Sequence, residues 1–255
     1  MRVLAIIPAR YASTRFPGKP LAVLGGESII SRVWHRVKRS ALIDTVLVAT
    51  DDDDICDHVE SFAGEGAAML TSDQHRSGTD RCGEVLERLA NEGEEYDVVL
   101  NVQGDEPFVE VSQLQALIEC FRRPEVQIAT LKTPIRSTDE LLSPNNVKVV
   151  CGADGHALYF SRQPLPHMRG VEPGQWLSRG AYYKHVGLYA FRADVLPELC
   201  HLAPGLLEES EKLEQLRWLE AGYTIHVVET AQANIGIDTP DDLAQAEEYL
   251  KQKKQ

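Results

Sequence analysis

The first half of the chain alternates short, nearly continuous apolar runs with longer segments in which apolar residues recur at helical spacing. Continuous runs are typical of strands buried on both faces of a parallel sheet, and the recurring spacing is typical of amphipathic helices. The pattern predicts strands at residues 3–7, 45–49 and 98–102 and helices at residues 28–38, 53–62 and 80–90. This alternation predicts an open α/β sheet with right-handed crossovers.

After about residue 127 the pattern changes, because strand-like runs follow one another with little helix between them. They lie at residues 128–131, 147–150, 157–161 and 185–191. We expect antiparallel strands here, extending one side of the sheet as a smaller lobe. No clear linker separates the two patterns, so the sequence predicts a single domain over residues 1–255 with a lobe-like insertion at roughly residues 130–200.

The remaining stretches contain a loop and the last helices. Residues 168–183 are rich in glycine and proline, which predicts a mobile loop. Helical spacing returns at residues 209–221 and 241–251, and an apolar strand is predicted between them at residues 224–228.

Composition and charge narrow the function classes. Of the 255 residues 43% are hydrophobic, and 39 acidic against 26 basic residues leave a net charge of −13. This balance argues against nucleic-acid binding, which needs a basic face. The five cysteines have no zinc-ligand spacing, so we expect free thiols in a reducing compartment. No apolar stretch approaches the roughly 20 residues of a membrane span and no signal peptide is present, so we expect a soluble cytoplasmic protein without a membrane partner.

Three cations follow the first predicted strand, in the segment "IIPARYASTRFPGKPL". Ligands of open α/β sheets bind beyond the carboxyl ends of the strands, where Arg10, Arg15 and Lys19 would lie. Arginine offers paired donors to phosphate oxygens and lysine a compact charge, whereas neither GxGxxG nor GxxxxGK[ST] is present. The sequence therefore favours a loop that binds polyphosphate through side-chain cations, and a solvated basic loop is the alternative.

Two acidic segments are candidates for a metal site. In "NVQGDEPF", Asp105 and Glu106 follow a predicted strand, where a carboxylate can share Mg²⁺ with water and phosphate oxygens. A simple surface turn explains that segment equally well. In "IGIDTPDDL", the residues after Asp238 make a good helix start, which leaves Asp238 as a possible second carboxylate.

Two further segments carry polar candidates. In "HRSGTDR", Ser77 and Asp80 form a capping-box pattern, and Arg81 is either a surface cation or a nucleotide contact. In "KHVGLYAF", His185 and Tyr189 would share one strand face on either side of a glycine, which leaves space for a small polar ligand. A half-exposed edge strand is the alternative for that segment.

Together and in this order, these segments resemble the 3-deoxy-manno-octulosonate cytidylyltransferase family of Gram-negative bacteria. The resemblance spans nearly the whole chain and is carried by "PARYASTRFPGKPL", "ATDD", "SGTDR", "NVQGDEP", "ATL", "NVKVV", "ALYFSR", "KHVGLYAF", "EKLEQLR" and "GIDTPDDL". It implies a nucleotide-diphospho-sugar transferase (Rossmann-like) α/β fold, with a mixed sheet flanked by helices and a smaller antiparallel lobe for sugar binding and dimerisation. It also implies Mg²⁺ as cofactor, a homodimer and a role in lipopolysaccharide biosynthesis.

The resemblance further implies the roles of individual residues. The positions that match the CTP-binding residues are Arg10, Arg15, Lys19, Ser77 and Arg81. The metal-binding aspartates match Asp105 and Asp238, and the implied catalytic residues are Lys19, Arg10, Asp105 and Asp238. The positions that match the sugar-binding residues are Gln103, Arg162, His185, Tyr189, Glu214 and Gln215.

The implied reaction transfers CMP from CTP to the anomeric hydroxyl of 3-deoxy-manno-octulosonate (KDO), giving CMP-KDO and pyrophosphate. Positioning and charge neutralisation do most of the work in such transfers, so no side chain is required as a general base. The nearest alternative is a cytidylyltransferase for another acidic sugar, such as sialic acid or an 8-amino KDO analogue. A nucleotide-sensing module is disfavoured by the paired aspartates with Lys19, and an NAD-linked dehydrogenase by the missing glycine motif.

Overall fold

The computed structural model describes residues 1–12, 15–232 and 235–253. Two residues of the cationic opening segment, Ser13 and Thr14, lie outside the described residues. The chain divides into two units: Met1–Ile118 with Asn234–Gln255, and Glu119–Ala233. The second unit contains the insertion expected at roughly residues 130–200, and the single-domain organisation stays a prediction.

The first unit is built on a parallel sheet. In chain order its first elements are β1 (Val3–Ala9), β2 (Val23–Leu24), β3 (Glu27–Ser28), α1 (Ile29–Lys38), β4 (Thr45–Thr50), α2 (Asp53–Ala63), β5 (Ala68–Leu70), α3 (Gly78–Asn91), β6 (Val98–Asn101) and α4 (Val111–Cys120). The strand order is β6-β1-β4-β5, and each neighbouring pair is parallel. Every residue of β1 except Pro8 is buried, and this burial is the physical reason for the continuous apolar run there.

Side chains at the helix N-termini account for where the three crossover helices begin. The Ser28 side chain accepts from the Ser31 backbone N–H at the start of α1, and that of Asp52 accepts from Ile55 at the start of α2. At α3, Ser77 and Asp80 bond each other's backbone N–H groups reciprocally, which confirms the predicted capping box. The three predicted helices of this unit are therefore confirmed to within a few residues.

The second unit contains mostly antiparallel pairings. Its elements are β7 (Ile128–Pro134), α5 (Thr138–Leu142), β8 (Lys148–Cys151), β9 (Ala157–Ser161), α6 (Trp176–Arg179), β10 (Tyr183–Arg192), α7 (Leu196–Cys200), α8 (Leu206–Glu211), α9 (Gln215–Glu220) and β11 (Ile225–Glu229). Strand β10 is antiparallel to β7 and β8, and β9 is antiparallel to β8. Only β11 runs parallel to its neighbour, β7. The α/β class with a smaller antiparallel part is thus confirmed.

Two predictions for this unit are wrong. The helix predicted at residues 209–221 is two helices, because Lys212 adopts the left-handed conformation with φ 54° and ends α8. The loop predicted at residues 168–183 contains a 3₁₀ turn at Pro173–Gln175 followed by α6. The reason is the apolar side of that stretch, where buried Trp176 and Tyr182 pack in a common cluster.

The chain returns to the first unit with its last helix, α10 (Pro240–Lys253). Buried Ala246 of α10 and Ile237 before it pack with Leu24, Ile29 and Phe108 in one apolar cluster. This cluster fixes the C-terminal segment against residues close to the carboxyl end of β6. No helix within residues 1–12, 15–232 and 235–253 combines the length and the apolar character needed to cross a membrane.

Candidate active site

A cleft of about 430 Å³ lies at the carboxyl ends of β1 and β6 in the first unit. Eight of the predicted site residues line it, namely Arg10, Arg15, Lys19, Ser77, Arg81, Gln103, Asp105 and Asp238. They come from the loop after β1, the start of α3, the turn after β6 and the segment before α10. This is the place where open α/β sheets bind ligands.

The opening loop is closed by a backbone hydrogen bond and stiffened by proline. The Gly18 N–H donates to the Tyr11 carbonyl at 3.0 Å, and Gly18 has φ 66°, a conformation that costs glycine little. Pro20 then stands in the first turn of the short 3₁₀ helix Lys19–Leu21 and is buried. Lys19 is held at the cleft wall, whereas Arg15 is 65% exposed and available to an anion.

Lys19 brings the two predicted metal aspartates together. Its Nζ lies 2.6 Å from Asp105 Oδ2 and 3.1 Å from Asp238 Oδ1. Arg15 adds a second contact to Asp238, at 3.2 Å. The Ile237 backbone N–H donates to the Asp105 carbonyl at 2.9 Å, so a backbone hydrogen bond ties the two segments together immediately beside both carboxylates.

Glycines allow the strand ends to approach each other at this site. A Cβ on Gly104 would lie 2.7 Å from the Pro8 carbonyl oxygen, a backbone atom with little freedom to move. A Cβ on Gly78 would lie 3.2 Å from the Pro8 ring. Gly104 is therefore required for the β6 turn to pack on the end of β1, which places Asp105 at the cleft.

The chemistry of the lining suits a phosphate–metal complex. Two carboxylates are too few to enclose a cation, and the described residues contain no cluster of three or more acidic, histidine or cysteine side chains suited to a metal. Mg²⁺ commonly binds to one or two carboxylates and completes its shell with water and substrate phosphate oxygens. Asp105 and Asp238, flanked by three cations for the phosphates, fit that mode.

Arg81 is buried, so the interpretation as a surface cation is wrong. Its side chain is 1% exposed, its Nη2 donates to Asp51 at 3.0 Å and its Nη1 donates to Thr71 Oγ1. The sequence reasoning missed both partners. The only signal was the pair of aspartates in "ATDD" at the carboxyl end of β4.

The other five predicted site residues, Arg162, His185, Tyr189, Glu214 and Gln215, lie in the second unit. His185 and Tyr189 have ring centroids 5.3 Å apart, which confirms that they share a side of β10. The Arg162 guanidinium donates to the carbonyls of Glu211 at 2.7 Å and Pro144 at 3.1 Å.

Glu214 and Gln215 lie at the start of α9, just after the break at Lys212. Burial, with a smaller contribution from the Glu214 carboxylate, raises the pKa of Tyr189 well above its ordinary value. The hydroxyl of Tyr189 is therefore protonated and can donate a hydrogen bond at neutral pH.

Burial also lowers the pKa of His185, to about 3, so its imidazole is neutral at physiological pH. Between pH 6.5 and 3 the unfolded chain binds a proton at His185 that the folded chain does not. As the pH falls through this window, the free energy of unfolding should therefore decrease by up to about 1.4 kcal/mol per pH unit because of this residue. Urea denaturation at pH 7, 6, 5 and 4 should give a shallower decline for His185→Gln than for the unsubstituted protein.

Exposed His201 is the matched control for this measurement. His201→Gln should keep the pH dependence of the unsubstituted protein. Loss of the 3.0 Å hydrogen bond between Thr130 Oγ1 and His185 Nε2 shifts the whole His185→Gln curve without changing its slope. If the free energies of unfolding of His185→Gln and the unsubstituted protein changed in parallel with pH, His185 would have the same pKa in the folded and the unfolded chain.

Comparison with known proteins identifies the family of the chain. The model of the cytidylyltransferase family matches residues 4–227. A 3-deoxy-manno-octulosonate cytidylyltransferase of Phocaeicola vulgatus is 53% identical over 99% of both chains. The enzyme of the same name from Parabacteroides distasonis is 50% identical over 98% of both.

Two solved structures share the fold of this chain. A CMP:2-keto-3-deoxy-manno-octonic acid synthetase complexed with CTP has a TM-score of 0.90 and 38% identity, covering 99% of this chain and 100% of its own. The 4-diphosphocytidyl-2C-methyl-D-erythritol synthase of Anaerococcus prevotii shares the fold, with a TM-score of 0.61 and 18% identity over 98% of this chain and 96% of its own. The chain belongs to the cytidylyltransferase family.

Proposed function

We propose that this protein transfers CMP from CTP to the anomeric hydroxyl of KDO and releases pyrophosphate. The observation that carries the proposal is the contact of Lys19 with both Asp105 and Asp238 inside a cleft that Arg10 and Arg15 also line. The names of the two relatives from Phocaeicola vulgatus and Parabacteroides distasonis, at about half identity over nearly their whole length, support the same substrate pair.

In this reaction the cations bind the triphosphate. Arg10, Arg15 and Lys19 would hold the phosphate oxygens and offset the charge that develops on the leaving pyrophosphate. The hydroxyl of the sugar then attacks the α-phosphorus from the side opposite the leaving group. The protein contributes by positioning both substrates, and the reaction needs no covalent bond between the protein and either substrate.

Asp105 and Asp238 are the proposed ligands of Mg²⁺. When bound there, Mg²⁺ would neutralise phosphate charge and lower the pKa of the attacking hydroxyl. Among the residues that the structure describes, Asp105 and Asp238 are the acidic groups that line the cleft. Lys19 lies between them and would remain beside the phosphates as a fixed charge.

Ser77 and Arg81 are the proposed contacts of the cytidine. For the sugar, the proposed contacts are Gln103, Arg162, His185, Tyr189, Glu214 and Gln215. The neutral imidazole of His185 suits hydrogen bonding to a sugar hydroxyl rather than ion pairing with the sugar carboxylate. The homodimer, the cytoplasmic location and the role in lipopolysaccharide biosynthesis are proposed from the family resemblance.

Pyrophosphate release from CTP and Mg²⁺ with a panel of sugar acids tests the proposal. KDO should support the highest kcat/KM, and sialic acid and the 8-amino KDO analogue should be slower. A faster reaction with either of the other acids would assign a different sugar substrate. Absence of pyrophosphate release with every acid would overturn the transferase assignment.

A further inference from the structure

Asp51 is a carboxylate that contacts Arg81, a residue of the cleft lining, and the proposed reaction gives Asp51 no role. It directly follows β4, and its Oδ2 accepts a hydrogen bond from Arg81 Nη2 at 3.0 Å. The adjacent Asp52 does something different, because its Oδ1 accepts from the Ile55 backbone N–H at 3.0 Å and caps α2. Of the two aspartates in "ATDD", one begins a helix and the other holds a buried arginine.

The Arg81 guanidinium is held at both terminal nitrogens. Nη1 donates to Thr71 Oγ1, while Nη2 donates to Asp51. Thr71 itself is fixed, because its hydroxyl donates to the Thr50 carbonyl at 3.0 Å and its backbone N–H donates to the same carbonyl at 2.7 Å. The guanidinium is planar, so contacts at two nitrogens determine its orientation.

A buried ion pair is a weak source of stability, because desolvation of the two charges offsets their attraction. The side chains of Arg81 and Asp51 are 1% and 13% exposed, so this pair is largely desolvated. Arg81 nevertheless lines the cleft beside Ser77. A fixed guanidinium at a cleft wall is an array of donors without acceptors, and it selects ligands by their acceptor pattern.

We propose that Asp51 is a positioning residue for nucleotide selection, which holds Arg81 so that its donors face the acceptor edge of the base. Cytosine presents acceptors at O2 and N3, whereas N3 of uracil carries a hydrogen that would oppose a guanidinium donor. This inference rests on the proposed function, because it takes CTP as the nucleotide substrate. Asp51 acts through Arg81 and does not contact the nucleotide itself.

Asp51→Asn tests the proposal, with Asp52→Asn as a matched control that removes the same charge one residue away. Calorimetric dissociation constants for CTP and UTP should show that Asp51→Asn loses at least about tenfold of the preference for CTP, because a loosened donor no longer rejects uracil. KM for CTP should rise, while KM for KDO and kcat at saturating CTP stay within about threefold. Asp52→Asn should keep the preference, since asparagine caps a helix as well as aspartate does.

A double-variant cycle separates positioning from folding. In an Arg81→Gln background, Asp51→Asn should cause no further loss of the preference for CTP over UTP. The double variant contains no buried arginine without its carboxylate partner, so it can be measured even if Asp51→Asn alone does not fold. An unchanged preference in folded Asp51→Asn, or an additional loss in the Arg81→Gln background, would overturn the inference. Preference for CTP without pyrophosphate release in the unsubstituted protein would contradict the proposed function, and the binding constants would still decide the role of Asp51.

Discussion

Asp238→Asn should lower kcat by about 100- to 1,000-fold or more, because asparagine keeps the shape of the carboxylate but loses the charge that a hard cation requires. The amide oxygen can still accept from Lys19, whose Nζ lies 3.1 Å from Asp238 Oδ1. The wall of the cleft should therefore remain intact. CTP binding measured without metal should survive, while the Mg²⁺ concentration needed for half-maximal rate should rise.

The matched control for this prediction is Asp241→Asn. Asp241 is an exposed acidic residue in the first turn of α10, three positions along the chain, and does not line the cleft. Its removal should leave kcat unchanged, with at most a small loss of helix stability. Near-normal turnover of Asp238→Asn at ordinary Mg²⁺ concentration would rule out the proposed metal role.

The strands that the sequence predicted best are those buried on both faces. β1, β4 and β6 have nearly continuous apolar sequences because helices or strands cover them on every side. β5 was missed because it is only 3 residues long and is partly exposed, so it is too short to show a period. Short edge strands of this kind are defined by their pairing, here with β4, rather than by their own sequence.

The errors in the second unit have a similar origin. Residues 208–212 are polar and include no glycine or proline, so the sequence shows no break before the apolar positions that begin at Leu213. The chain nevertheless turns at Lys212 into a left-handed conformation that lysine rarely adopts. The carbonyls at this turn accept hydrogen bonds from Arg162, about 50 positions earlier in the chain: its Nε donates to the Glu211 carbonyl at 2.7 Å and its Nη2 to the Lys212 carbonyl at 3.4 Å. Local propensity therefore indicates one helix where tertiary contacts make two.

The sequence predicts which site residues lie together wherever those residues directly follow the strands of the sheet. Arg10 and Lys19 follow the most apolar run of the chain, and Asp105 follows another, so the topology of an α/β sheet places them on one edge. The proximity of Asp238 was not predictable in this way. It depends on the hydrogen bond from Ile237 to the Asp105 carbonyl and on the apolar packing of α10, which no local pattern reveals.

Lys19 is the residue that links the two halves of this site. Its side chain is only 11% exposed, and its Nζ lies 2.6 Å from Asp105 Oδ2 and 3.1 Å from Asp238 Oδ1. Without a cation between them, the two carboxylates would repel each other in a partly desolvated cleft. We therefore assign two functions to Lys19: it neutralises the carboxylates in the free protein, and it is proposed to bind phosphate during the reaction. Stability and kinetic measurements on one variant can distinguish these two functions.

Lys19→Met should lower kcat/KM for CTP by about 1,000-fold, because the leaving pyrophosphate loses a fixed charge in a site of reduced dielectric. It should also lower the melting temperature in the absence of Mg²⁺, since two charged groups lose their hydrogen-bonded partner at a cost on the order of 2 kcal/mol.

Addition of Mg²⁺ should restore stability in Lys19→Met and raise its melting temperature more than it does in the unsubstituted protein, because the ammonium no longer competes for the carboxylates. Lys38→Met, which removes an exposed lysine that does not line the cleft, should show neither effect. An equal or smaller Mg²⁺-induced shift in Lys19→Met would mean that the cation does not bind where the ammonium contacts Asp105 and Asp238. The proposed metal site would then have to lie elsewhere in the protein.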